Sequence, residues 1–360
     1  TGVNNLDGAF IDLPDLNFID LTGTTLYSIN NSFNNLDELT TLRLTGEALT
    51  TIENSFNNIF ASSSSDNDII LLNGNLYSII DSFNVGNYNV IGITTHINNS
   101  GEPSLIENSF NDLNVNGIQG ITISGNEFNT VTNSFNRVVV DNLFLANNVI
   151  EVITGSFEES NISIELNLQN NELSTLDLSL IENVRTLDLA NNALTTVSFL
   201  DGVPGLIDLD ISSQLTFDGS SFTLFGIDGI NNMPLLTNIT FDNIPIQTID
   251  GFKDIGITTF NYNLETNNDI YITNITNNSF SNSLITELDL GAYELSNIDF
   301  LGNFGLLETL YLGVNMLDLS QLSGSVFEDT LAYLEITNAS NIADFTVFEG
   351  YDQVVDFTLD

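Results

Sequence analysis

Between Ile121 and Leu200 the apolar and polar positions follow one phrase in four copies. Ile121-x-Ile123-x-x-Asn126-x-Phe128-x-x-Val131 is followed by Leu143-x-Leu145-x-x-Asn148-x-Ile150-x-x-Ile153. Leu166-x-Leu168-x-x-Asn171-x-Leu173-x-x-Leu176 and Leu187-x-Leu189-x-x-Asn192-x-Leu194-x-x-Val197 complete the set. Alternation of this kind puts Leu143 and Leu145 on one face of a short strand and Phe144 on the other. One such strand buries too little to stand alone. Copies must therefore stack, with parallel strands side by side and a continuous core behind them. The asparagine after each strand falls where the chain turns inward, so its amide is expected to satisfy backbone groups that no ladder reaches. Asn148, Asn171 and Asn192 would form a stacked ladder.

Extended along the chain, the pattern gives about fifteen coils spaced by roughly 21 to 30 residues. The strand pairs are Ile19/Leu21, Leu42/Leu44, Ile69/Leu71, Ile91/Ile93, Ile121/Ile123, Leu143/Leu145, Leu166/Leu168 and Leu187/Leu189. The series continues with Leu209/Ile211, Ile239/Phe241, Phe260/Tyr262, Leu288/Leu290, Leu310/Leu312, Leu334/Ile336 and Phe357/Leu359. A second signature closes the early coils: Ser32-Phe33, Ser55-Phe56, Ser82-Phe83, Ser109-Phe110, Ser134-Phe135 and Ser156-Phe157. Each Phe lies four residues after an apolar anchor, from Ile29 to Ile153, so a stack of rings is expected to fill the core from the side opposite the strands. The segments on that side lack a 3.6-residue period and should be loops, 3₁₀ turns or short strands. Residues 1–18 read as a lead-in and partial cap, and residues 19–360 as one array. Glu47 and Tyr293 replace the asparagine in two coils, and insertions fall at 62–67, 98–104, 216–232 and 266–278.

These residues resemble the leucine-rich-repeat family, whose unit reads L-x-L-x-x-N-x-L. With the Ser-Phe tails, they are most similar to its bacterial internalin-type surface members. The resemblance implies a right-handed solenoid or horseshoe with a concave parallel sheet of about fifteen strands and a convex side mostly of loops and short helices. It also implies an extracellular or cell-surface protein that binds or adheres to a protein or cell-surface ligand through the concave sheet.

Composition narrows the partners. In 360 residues there are 48 acidic side chains and only 4 basic ones, a net charge of −44. Charged residues are 14% of the chain, against about 25% in ordinary soluble proteins, so basic residues are missing rather than acidic ones in excess. Such a surface repels phosphate backbones and anionic headgroups, which disfavours nucleic acid and membrane surfaces and favours basic partners. No apolar run approaches the ~18 residues of a spanning helix. There is no cysteine, hence no disulfide or thiolate chemistry. Thr1 reads as the start of a mature or excised segment. Sequons at Asn30, Asn98, Asn161, Asn238, Asn274, Asn277 and Asn338 permit glycosylation.

The outward strand positions supply the candidate binding residues: Ile70, Leu72, Phe144, Asn167, Asp188, Asp210, Tyr311 and Tyr333. Ile70, Leu72, Val90 and Phe144 place apolar groups on a face expected to be wet, either as a recognition patch or beneath a folded-over insertion. Asp188, Asp208, Asp210 and Asp242 are expected on successive strands about 4.8 Å apart, where like charges repel. A basic partner group or a Ca²⁺ ion would relieve them. No other cofactor is implied. The single histidine, His96, has no recognisable Ser-Asp partners, so the expectation is a non-enzyme. With no polar cap visible before Asp360, a rival expectation is a structural subunit that polymerises end to end through open sheet edges.

Overall fold

The computed structural model describes residues 2–45, 48–60, 68–74, 76–95, 104–117, 119–125, 127–179, 181, 183–214, 225–227, 229–260, 272–291, 295, 297–312, 322, 325–337 and 346–359. The chain is a parallel β-solenoid. It divides into two compact units, Thr1–Ala193 and Leu194–Asp360. His96, Glu47, Asn126, Tyr293, and the insertions at 62–67 and 98–103 lie outside the described residues.

In the first unit the expected strand pairs fall on Phe18–Thr22, Thr41–Thr45, Asp68–Gly74, Val90–Thr95, Ile121–Ser124, Val139–Phe144, Asn161–Asn167 and Thr186–Asp188, with Leu145, Leu168 and Leu189 one residue past the ends of the last three. Each of these pairs with the next in parallel. The inward residues of this long-strand sheet, such as Leu42, Ile91, Ile121, Leu143, Leu166 and Leu187, are fully buried. The expected period is therefore the observed one. Asn171 shows the asparagine ladder at work: its Nδ2 donates to the Leu145 and Leu168 carbonyls at 3.0 and 2.9 Å. Its Oδ1 accepts from the Ile150 N–H of the preceding coil, and Asn192 repeats the arrangement against Leu168, Leu189 and Leu173. The residues just before the ladder, Asn147, Asn170 and Asn191, have φ of 54–56°, a left-handed conformation that Asn tolerates better than most residues.

On the opposite side of this unit, short strands are realised out of the loops, 3₁₀ turns or short strands expected there. It carries a second parallel sheet of seven short strands, in the order Asn5–Asp7, Ser28–Asn30, Thr51–Glu53, Ser78–Ile80, Leu105–Glu107, Thr130–Thr132 and Val152–Thr154. The lead-in over residues 1–18 supplies the first of these strands, and Phe10 supplies a ring that stacks on Phe33. After each strand the chain turns through the Ser-Phe dipeptide. Phe10, Phe33, Phe56, Phe83, Phe110 and Phe135 stack with centroids 4.7–5.0 Å apart and planes within 9°.

Two further ladders lock that stack. The Ser32 N–H donates to the Ser55 hydroxyl, Ser55 to Ser82, Ser82 to Ser109 and Ser109 to Ser134, all at 3.0–3.1 Å. Each hydroxyl in turn donates to the carbonyl two residues before it, as Ser82 does to Ile80. Beside the rings, Asn57, Asn84, Asn111 and Asn136 each donate their own N–H to the amide oxygen of the corresponding Asn one coil earlier. The turn needs left-handed backbone at the residue before each Ser and at each Phe. Asn31, Asn54, Asp81, Asn108, Asn133 and Gly155 fill the first position at φ of 46–59°, and the Phe residues from 33 to 157 the second at 57–67°. A left-handed Phe costs about 1–3 kcal/mol. Burying 150–250 Å² of ring at about 25 cal/mol per Å² returns roughly 4–6 kcal/mol, so the strain is tolerated.

The second unit is less regular. Asp208–Asp210 pairs with Asn238–Thr240, Thr248–Ile249 with Asn274–Ile275, and a five-stranded sheet runs Thr259–Phe260, Glu287–Leu290, Thr309–Leu312, Tyr333–Ile336 and Asp356–Leu359. Described 3₁₀ turns lie at Ser198–Gly202, Asp299–Asn303 and Thr346–Phe348. Phe252 and Phe280 repeat the stacked left-handed pair, 5.3 Å apart and 7° from parallel.

Leu145→Ala should lower stability by roughly 2–5 kcal/mol, and Phe83→Ala by roughly 3–5 kcal/mol, as buried truncations. Urea unfolding followed by circular dichroism checks both. A negligible effect at Leu145 would mean that the inward and outward positions are interchanged.

Candidate binding face

Because successive residues of a strand face opposite ways, pairing register decides which outward side chains become neighbours. In the first unit Asp20, Arg43, Ile70, Gly92, Thr122, Phe144, Asn167 and Asp188 are aligned in one lateral row, as the alternation predicts. Ile70 and Leu72 occupy outward register positions in Asp68–Gly74, but their side chains lie outside the described residues. Phe144 is half-buried between Thr122 and Asn167 in that row. Asn167 is itself 8% exposed. Its Nδ2 donates to Glu165 and to Asp188, and its Oδ1 accepts from the Gln169 N–H. Asn167 is thus a cross-link within the sheet rather than a free contact.

Two of the four cation candidates, Asp188 and Asp210, share a turn-forming role with Asp20 and Asp289. On four strands an outward Asp accepts the N–H two residues on: Asp20 from Thr22 at 2.9 Å, Asp188 from Ala190 at 3.1 Å, Asp210 from Ser212 at 2.9 Å and Asp289 from Gly291 at 2.8 Å. This is the side-chain-to-backbone turn that Asp favours. At Asp20 the Thr22 N–H holds the carboxyl below its ordinary value. Asp210 also accepts from the Ser212 hydroxyl, and Asp208 accepts from the Asn238 amide. Asp242, expected on a strand, lies in the turn beyond Asn238–Thr240. Among the described residues no three His, Asp or Glu side chains are grouped to hold a metal ion. Asp188 and Asp210 thus act as turn caps, a role that spacing along the chain does not distinguish from that of a ligand.

The five-stranded sheet of the second unit brings different chemistry together. Its inward leucines at 288, 290, 310, 312 and 334 are buried. Outward, one row reads Glu287, Thr309, Tyr333 and Asp356, and the next reads Asp289, Tyr311, Glu335 and Thr358. The Tyr311 and Tyr333 rings lie 5.3 Å apart at 47°. The Tyr333 hydroxyl donates to Glu335 at 2.7 Å. That bond, more than burial, raises the Tyr333 phenol. Tyr311 is raised first by partial burial and then by the carboxylates of Glu287, Glu335 and Asp289. Both tyrosines were legible as outward aromatics. Their carboxylate frame follows only when two adjacent rows are read together. An aromatic pair rimmed by anions suits a cation or an amphipathic side chain.

On the opposite side of the first unit, Gly155, Ser156, Glu158, Asp177 and Ser179 help line a cavity of about 150 Å³. It is smaller than the roughly 300–1,000 Å³ of ordinary small-molecule sites.

No protein-family model matches the chain, and no curated protein matches it. Among solved structures it is similar to the functional domain of InlJ from Listeria monocytogenes, a domain that includes a cysteine ladder. The identity is 16%, the match covers 93% of this chain and 74% of that one, and the TM-score is 0.40.

The raised phenols make a spectroscopic prediction. Titrated through tyrosinate absorption, Tyr311 and Tyr333 should ionise above the ordinary value of about 10, and Glu335→Gln should bring both down. A phenol raised in the folded state holds its proton after the unfolded chain has lost it. The stability it contributes is therefore complete below about pH 10 and is lost as pH climbs through the folded value. An unchanged difference spectrum in Glu335→Gln would remove the carboxylate frame from the account.

Proposed function

We propose that the chain is a non-enzymatic recognition module, exposed outside the cell or on its surface, that holds a protein partner on the outward faces of its parallel sheets. The observation that carries this reading is the Tyr311–Tyr333 pair. Two large aromatics are presented outward from adjacent strands whose alternate residues are anchored in the core. Aromatic groups with few rotatable bonds dominate the energetic centres of interfaces. Phe144 offers a second, smaller anchor in the first unit. The repeat phrase itself supports the surface location through its resemblance to internalin-type repeats. A catalytic reading has less to stand on, because the tyrosine face is a sheet surface and the described cavity is small.

Selection of peptides from a displayed random library tests the reading. Enriched sequences should bind the native chain and lose most of their affinity for a Tyr311→Ala/Tyr333→Ala variant of unchanged circular dichroism. Binders indifferent to that variant would move recognition elsewhere. Light scattering across a concentration series separates the rival, since an end-to-end assembling subunit would grow with concentration while a recognition module stays at one mass.

A further inference from the structure

The tyrosine face is also an electrostatic statement. Glu287, Asp289 and Glu335 surround Tyr311 closely enough to oppose its ionisation, and Asp356 extends the adjacent row. Nothing in this unit is placed to neutralise them: its one basic residue in sequence, Lys253, is directed to Asp250 at 3.3 Å. Such a face raises the local concentration of cations and favours a partner that brings one.

The chain is a poor source of that cation. It has 4 basic side chains in 360 residues, and Arg137 is already bound through both Nε and Nη2 to Asp112 at 2.5 and 2.7 Å. A second copy therefore brings mostly negative charge to a negative surface. Charge complementarity thus favours a basic segment of a different protein as the occupant. Ring geometry narrows its chemistry further. Rings inclined at 47° with centroids 5.3 Å apart leave π surface beside carboxylates one strand away. A guanidinium can lie flat on an aromatic ring while its edge N–H groups reach a carboxylate, whereas an ammonium is a compact, strongly hydrated point charge.

We infer that the outward face of Glu287–Leu290, Thr309–Leu312 and Tyr333–Ile336 receives an arginine-bearing basic segment of a partner protein, with the guanidinium seated against Tyr311 and Tyr333 and bonded to Glu335. This rests on the reading of that face as the binding surface, and it specifies the partner's chemistry.

Calorimetry on the full chain tests it with three short synthetic peptides that alternate glycine with arginine, lysine or leucine. The arginine peptide should bind most tightly. Tyr311→Leu and the isosteric Glu335→Gln should each weaken it by about tenfold, Tyr311→Phe should retain it, and Glu172→Gln, an exposed carboxylate of the first unit, should leave it unchanged. Equal weakening by all the carboxylate variants, or by none, would reduce the effect to bulk charge and overturn the inference. Tighter binding of the leucine peptide, lost in Tyr311→Leu, would overturn the cation while leaving the face as a binding surface. Failure of every peptide to bind would count against both.

Discussion

Lateral contact between successive coils is the constraint on which the fold depends. A parallel strand of three residues, such as Thr51–Glu53, closes too few hydrogen bonds and buries too little surface to persist alone. Its neighbours at Ser28–Asn30 and Ser78–Ile80 supply both. The side chains follow the same rule. Phe stacks on Phe, Ser hydroxyls accept the preceding coil's Ser N–H, and the Asn amides bridge one coil to the next. Each ladder satisfies, in the direction of growth, polar groups that burial would otherwise penalise.

The same geometry limits what the surface can do. Inward positions are fixed by packing, so variation is confined to alternate residues of each strand. Several of those are claimed again by turns, as Asp188, Asp210 and Asp289 show. The charge of −44 is therefore not one continuous binding strip. The tyrosine face differs because its carboxylates frame an aromatic pair, which gives them something to select as well as something to repel.

Much of the fold was legible in the sequence because the strand period leaves a mark on every coil. Leu143, Leu145 and Asn171 behave as their spacing requires, and so does the lateral row from Asp20 to Asp188. The second sheet of the first unit was harder to read. Its strands are only three residues long, and those such as Ser28–Asn30 and Thr130–Thr132 bury a single residue, too short for alternation to register. Their real signal was the Asn-Ser-Phe-Asn turn, whose left-handed Phe runs against ordinary preference and makes sense only within the stack. The site was less legible for a similar reason. Spacing along the chain shows neither that Asp188 and Asp210 accept turn N–H groups nor that Asp208 accepts from the Asn238 amide.

Residue-resolved hydrogen exchange tests most directly the claim that neighbouring coils seal one another through these ladders. The amides of Ser55, Ser82 and Ser109, each donating to a buried hydroxyl one coil away, should exchange on the order of a thousandfold or more slowly than in the unfolded chain, together with those of Leu145 and Leu168. Exchange of the serine amides at the rate of exposed loops, while Leu145 and Leu168 remain protected, would show that the Ser-Phe turns are not the interlocked layer described here.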